Sequence, residues 1–541
     1  MKKNHLALFA MVIVLFLTAA FTAACSSPVS SPAEIPGGSG NGNGGGNSNN
    51  GNGNGNGEQP NNPDPVPSYY SITYNGNGNT AGQAPSDTAE YLSGTDIVTA
   101  AETGDLYKVG YRINGWNTSR DGTGTHYSGG SEFTMGSGPV TLYAQWEPVY
   151  PMVSVGDNFS LLITGDGSLY ASGANGDGQL GTSGGGDKSS FTYVTDNVAM
   201  ASARFDHSVI LKKDGTPWAW GDNSFYKLGI NSTAIYVNSP QLVQSEGFPD
   251  PADPIVRVIA GTQHTGYITK NGNYWVAGSN ERGSLGFENG TNLVAPKRVG
   301  YMNNVVSGDI GSSYTMLVTK SGGLYAAGIN QYGSLGTGSG SNLEDGFMIN
   351  KTSAVQAIGT SDSIAAVFTG NSDYTMILTK NGNVYSTGNN DTGKLSLGDT
   401  TNRNTFTRAQ ETSGGMNQNI TGVNTIAMGT DHVLFLKNDG TLWAAGGGAD
   451  NKLGLSGTAN QSRAVKVMNN VAYAAAGKKY TLAVTTDGRL YAAGGNSSGQ
   501  FGGSMTTPVQ PGKDGADPNV EAGTMWFEVD WRTPTGNTAA N

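Results

Sequence analysis

From Val153 onward the chain alternates short apolar runs with turns. Leu161-Leu162-Ile163 leads to Asp166-Gly167, and Leu169-Tyr170-Ala171 then leads into a glycine-rich loop. Apolar runs joined by Asp-Gly or Asn-Gly read as strands in hairpins, because such turns need φ > 0. The pattern recurs seven times. Each copy has an aromatic residue or histidine, usually followed by Ser or Thr: Phe159, His207, His264, Tyr314, Tyr374, His432 and Tyr480. A turn glycine stands 8 residues later, a second glycine 6 beyond that, and Leu or Phe 7 further on, in every copy. Tyr or Trp always falls 3 after the turn glycine. The period is about 53 residues, room for roughly four short strands and their loops. One hairpin cannot bury both its faces, so neighbouring copies must pack on one another. Four-stranded units arranged radially make a propeller, and seven copies lie within its range. The expected fold class is therefore all-β: a seven-bladed β-propeller over 149–531.

Composition agrees. Glycine is 83 of 541 residues and charged residues only 13%, which disfavours helices and favours strands and tight turns. The net charge of −11 leaves no excess of cations to displace counterions from phosphates, so nucleic acid is not expected as a partner. The single cysteine excludes an intrachain disulfide and a cysteine-based zinc site.

That cysteine has an informative place. Lys2 and Lys3 precede an apolar run from Leu6 to Leu17, and Thr22-Ala23-Ala24-Cys25 follows. This resembles a bacterial lipoprotein signal, with 1–24 removed and Cys25 acylated, although Thr22 stands where Leu is usual. Acyl chains on Cys25 imply anchoring to a lipid bilayer without spanning it. Residues 25–68 are rich in Gly, Asn and Pro, without the apolar content to offset ordering, and read as a disordered tether. Residues 532–541 read as a disordered tail.

Between tether and repeats, 69–148 have a different pattern. Ser71-Ile72-Thr73-Tyr74 meets Asn75-Gly76; then come Gly110-Tyr111 with Gly115-Trp116, Asp121-Gly122-Thr123-Gly124, and Leu142-Tyr143-Ala144-Gln145-Trp146. The order resembles the Listeria–Bacteroides repeat, of the internalin B-repeat type. The resemblance implies a small β-grasp-like module of bacterial surface proteins. Trp116 and Trp146 are expected in its core and His126 on its surface.

The run Gly167-Ser168-Leu169-Tyr170-Ala171-Ser172-Gly173-Ala174-Asn175-Gly176-Asp177-Gly178-Gln179-Leu180-Gly181 resembles the regulator of chromosome condensation repeat. The resemblance extends over all seven copies and implies a seven-bladed propeller. Copy six departs from it, with Gly448 in place of the asparagine. Ring closure is expected to join Met152-Val153-Ser154-Val155 to the last blade, and Trp526 to Trp531 is a further strand candidate.

No catalytic constellation stands out, so the chain reads as a binding protein and not an enzyme, with no cofactor and no metal. A position that accepts His207, His264 and His432 in some copies and Tyr or Phe in others is a packing site with a polar tip. The aromatic residue after each turn also reads as core. Asp-Gly turns lack the oxygen ligands calcium needs. Variable loops on a rigid scaffold are better candidates. Insertions fall at 230–254, 337–363 and 396–421. The short loop after each Gly-x-Asn carries Asp177, Phe225, Tyr226, Arg282, Tyr332, Asp391 and Asp450, expected as a ring on one propeller face. Tyr and Arg at such tips are interface anchors. The function expected is a monomeric, lipid-anchored, surface-exposed envelope protein that recognises an extracytoplasmic protein or glycan. The alternative is inhibition of an extracytoplasmic enzyme through the same face, as β-lactamase inhibitory proteins of this fold do. Guanine nucleotide exchange is opposed by the export signal, which separates the chain from a small GTPase.

Overall fold

The computed structural model describes residues 67–79, 83–94, 97–101, 106, 111–148, 151–287, 290–341, 343–350, 358, 362–505, 519–521 and 523–531. The signal segment 1–24, Cys25, the tether up to 66, the tail 532–541 and parts of the 337–363 insertion lie outside these residues. The described residues fall into two compact units, one ending at Glu147 and one beginning at Pro148, with Gly110–Arg112 grouped with the second.

In the first unit, Tyr69–Asn75 pairs in parallel with Val140–Pro148 and antiparallel with Glu90–Leu92. Tyr111–Asn117 and His126–Tyr127 complete a five-stranded sheet, and Ile97–Thr99 with Glu132–Thr134 makes a two-stranded one. Trp116 is fully buried, 4.8 Å from the Tyr74 ring, and its Nε1 donates to Ala101 O at 2.8 Å. Trp146 packs on the same core and donates to Gly76 O at 2.9 Å. His126 is exposed.

The second unit contains seven sheets in sequence order, here sheets 1 to 7. Sheet 1 holds Met152–Val155, Phe159–Ile163, Leu169–Gly173 and Lys188–Thr195 from inner to outer edge. Sheet 2 repeats this with Val198–Arg204, His207–Lys212, Pro217–Asp222 and Tyr236–Leu242. Every sheet takes its strands from one stretch of chain. Met152–Val155 therefore belongs to the first sheet by hydrogen bonding, not to the last, and closure is by packing and by contacts such as Phe191 N to Gly502 O at 2.8 Å. Val153, Leu162 and Phe191 of sheet 1 share a core with Tyr480, Leu482 and Leu490 of sheet 7. Phe527–Asp530 pairs with Leu490, Tyr491 and Ala492, so the last strand candidate is a strand of sheet 7.

A belt of polar contacts explains the repeat's opening residues. His264 Nε2 lies 2.8 Å from Thr315 Oγ1, and that hydroxyl donates to Ser284 O at 2.8 Å. The hydroxyl is thus the acceptor, and His264 is a neutral imidazole donating through Nε2. His207 meets Thr265, His432 meets Thr481, and Tyr480 meets Ser160 across the closing seam in the same way. Each contact spans neighbouring sheets, so the Ser or Thr of one copy serves the aromatic or histidine of the copy before. Burial holds His264 down at about 3, and Arg204 adds to this. The aromatics after the turns are not uniformly core: Trp218, Trp275 and Tyr325 are half-buried on the sheet surface.

Candidate functional site

Antiparallel order sends every second connection to the same end of its sheet. The inner-to-second and third-to-outer connections emerge at one end, the loop end. The Asp-Gly hairpins and the links between sheets emerge at the opposite, hairpin end. Backbone bonds between these links and hairpins, such as Lys213 N to Asn197 O and Lys270 N to Pro254 O, hold the hairpin end.

At the loop end, the Gly-x-Asn motif builds a fixed platform. Asn175 Oδ1 accepts Leu180 N at 3.1 Å while its Nδ2 donates to Gly184 O at 2.6 Å. Asn223, Asn330, Asn390 and Asn496 hold the amides of Leu228, Leu335, Leu395 and Phe501 likewise. Outside sheet 6, where Gly448 replaces it, each loop is folded over its own asparagine, so its tip is displayed at a set position.

The ring of tips is occupied by Asp177, Phe225, Arg282, Tyr332 and Asp450. Phe225 is 46% exposed and Tyr332 36%. Tyr226 follows Phe225 and stands where five other copies have a glycine with positive φ, Gly178, Gly283, Gly333, Gly393 and Gly499. Asp391 is out of register: counting back from the leucine, Thr392 holds the tip of sheet 5. Asp391 instead pairs with Lys394, which is fully buried, while its own side chain stays 64% exposed beside the tip. The expected insertions straddle the sheets. Their first residues, 230–235 and 396–402, finish the loop end, the outer strands follow, and their later residues, 243–254 and 410–421, are links at the hairpin end. Gln410–Ser413 and Met416–Asn419 form a hairpin added to the outer edge of sheet 6 through Glu411 and Ala464. Tips and later insertion residues therefore lie at opposite ends of the propeller.

On sheets 1 and 2 the charged groups of the loop end influence one another. Lys227 is buried, 2.5 Å from Asp222 Oδ2 and 3.2 Å from Thr262 O. Burial works against the Asp222 carboxylate, but Lys227 and Ser224 hold it below the usual range. Asp157 pairs with Lys478 at 3.0 Å. The Asp206 carboxylate has no hydrogen bond or ion pair from the described residues; burial, then Asp157 and Asp177, push it up to about 6. Burial and Asp222 also raise Asp177. Among the described residues no three His, Cys, Asp or Glu side chains are arranged to hold a metal ion.

Several residues of this end were outside the motif reading: Phe205, Asp206, Ile235, Tyr236 and Val294. The first two precede the repeat histidine, and Tyr236 opens an outer strand. Only strand pairing shows that they border the tips.

Comparison with known proteins identifies the class. Residues 70–145 match the family model of the Listeria-Bacteroides repeat domain. Residues 214–268, and 153–179 with 471–500, match models of the regulator of chromosome condensation (RCC1) repeat. The chain thus carries one Listeria–Bacteroides repeat domain and a propeller of regulator of chromosome condensation repeats. It is 46% identical over 79 residues to a protein of the bacterium Evansella cellulosilytica named "Putative Gly-rich membrane protein", covering 14% of this chain and 9% of that protein. It is 29% identical over 154 residues to the mouse X-linked retinitis pigmentosa GTPase regulator, covering 27% of this chain and 15% of that protein. The chain therefore spans less than a sixth of these two relatives. Among solved structures, Prp20p of Saccharomyces cerevisiae aligns with TM-score 0.50 at 16% identity, over 64% of this chain and 83% of that one. Human WBSCR16 aligns with TM-score 0.51 at 20% identity, over 64% and 89%. At such identity the likeness concerns the fold alone.

Proposed function

We propose that the protein is a membrane-tethered extracytoplasmic binding protein, held to a lipid bilayer by acylated Cys25 and presenting its propeller to a protein or glycan at the bacterial cell surface. The observation that carries this reading is the loop end itself. Asparagine-stapled loops display Phe225 and Tyr332 to solvent, with Tyr226 half-buried beside Phe225, where burying the exposed rings inside the fold would have been favourable. The N-terminal lipoprotein-like pattern and the likeness to a bacterial protein named for a membrane support the location. The inhibitor reading draws on the same aromatics and differs in requiring a tight complex that abolishes an enzyme activity.

The test is affinity capture with the full chain against envelope extract and matrix components. Phe225→Ala combined with Tyr332→Ala is expected to lose the captured partner while retaining the far-UV spectrum of the parent. Unchanged capture would move the binding face elsewhere. Cys25→Ser is expected to abolish metabolic labelling with a fatty acid and release the protein from membranes.

A further inference from the structure

Sheet 2 departs from the other six at the loop end. Bulky residues rarely tolerate the left-handed backbone region. Among the described residues three aromatics occupy it, Phe205 (φ 53°), Phe225 (φ 62°) and Tyr226 (φ 64°), and all three are loop-end residues of sheet 2. Phe225 is also exposed, so packing within the fold does not explain it. The left-handed tip belongs to the repeat, since Arg282 (φ 55°) and Asp450 (φ 61°) hold the same register; what sets sheet 2 apart is an exposed aromatic there.

The same loops gather the largest group of exposed apolar side chains. Asn223 N donates to Ile235 O at 2.6 Å, and Asp222 is paired with Tyr236. Asn231 N donates to Val294 O at 2.9 Å, which ties the loop to the outer strand of sheet 3. Ile235 and Tyr236 are each 59% exposed and Val294 38%. Scattered apolar residues need no explanation, but a clustered patch marks an interaction site.

Charge settles what can cover it. The neighbouring side chains toward the ring centre are Asp157, Asp177, Asp206 and Asp222. Lys227 is committed to Asp222 and Lys478 to Asp157, and the exposed Arg282 stands on the sheet 3 side, so the Asp177 and Asp206 carboxylates have no ion-pair partner among the described residues. A phospholipid surface or an acidic glycan would be repelled here. We propose that the loop end of sheets 1 to 3 is a docking surface for a cationic, apolar protein segment, whose apolar side chains seat on Phe225 and Tyr236 and whose Lys or Arg faces Asp177 and Asp206. This deepens the binding-protein reading and rests on it. The upward-shifted Asp206 agrees, since a cation from the partner would relieve its carboxylate neighbours.

Three labelled synthetic peptides of equal length test this by fluorescence anisotropy on the full chain. One alternates Lys with Leu and Trp, the second replaces Lys by Glu, and the third replaces Leu and Trp by Ser. The Lys–apolar peptide is expected to bind, and the other two at least about tenfold more weakly. Phe225→Asn, which suits a left-handed backbone, and Asp206→Asn should each weaken it by roughly tenfold. Asp439→Asn, at the hairpin end of sheet 6, should not, which separates local charge from the acidity of the whole chain. Equal binding of the Glu peptide, or indifference to Phe225→Asn and Asp206→Asn, would overturn the proposal. So would a concentration-dependent dimer lost in Tyr236→Ala, since a second copy would then be the occupant. A captured envelope partner with no preference for the Lys peptide would sink this inference and leave the binding-protein reading standing.

Discussion

Tyr226 and His264 show how single positions of one repeat serve different ends. Tyr226 takes a glycine's place in a left-handed loop, where an L-residue costs about 1–2 kcal/mol and glycine loses part of that advantage through its freedom in the unfolded chain. Tyr226→Gly is therefore expected to raise the unfolding midpoint in urea, by up to about 1 kcal/mol, while weakening binding. A lower midpoint would show that the side chain packs usefully at rest. His264 is the opposite case, a buried group kept for the fold. Its native pKa lies near 3 against about 6.5 unfolded, so the unfolded chain takes up a proton first as pH falls. The stability linked to the neutral ring is complete above pH 6.5 and declines toward pH 3, at about 1.4 kcal/mol per pH unit for one such group. His207 and His432 are lowered in the same direction, by burial first. His264→Tyr, the residue three other copies use, should flatten the fall in stability between pH 6 and 4, measured by denaturant titration at each pH.

At the scale of elements, the sequence was legible wherever a residue's role is local. The Asp-Gly hairpins fell where the offsets put them, because Asp166 and its equivalents accept the amide two residues on, as in Ser168 N to Asp166 Oδ1 at 2.9 Å. The asparagine of the loop motif is equally local, five residues from the amide it holds. What the repeat could not show is non-local. The partner of Asp391 is a buried lysine whose depth depends on packing between sheets, so the exposed carboxylate is anchored from below by an ion pair that the motif does not show. The contribution of Tyr236 to the patch depends on outer-strand register, fixed by pairing with Asp222 and not by any motif. Trp218 and Trp275 share a motif position with Tyr491, which is buried, yet lie half-exposed. Period alone does not say how far out on a sheet a side chain sits.

For the whole molecule, Arg204 is the most distinctive residue. The other six copies have glycine at this place, among them Gly311 and Gly370, where a Cβ would lie 2.0 and 1.8 Å from the following tyrosine ring. Arg204 instead reaches from sheet 2 to sheets 4 and 5, donating to Ile310 O at 2.6 Å and Thr369 O at 2.8 Å, with Asp309 3.6 Å away. These bonds cross the ring, not along its circumference. Arg204→Met removes charge-assisted bonds in a shielded place and leaves acceptors without a donor, at an expected cost of about 2–4 kcal/mol. Thermal unfolding reads this directly. A variant as stable as the parent would mean that the belt between neighbouring sheets holds the ring unaided.

The contiguity of each sheet also bears on how the protein is made. No strand of sheet 1 waits for the C-terminus, so a chain emerging N-terminus first can finish each sheet before the next appears, in the stepwise manner of repeat proteins. The final pairing of Phe527–Asp530 and the contacts of sheet 7 with sheet 1, among them Tyr480 against Phe159 and Ser160 and Lys478 with Asp157, are what the last part of the chain adds. A ribosome or export pore releasing this protein therefore delivers an open arc of folded sheets, and the last few dozen residues turn that arc into a closed ring.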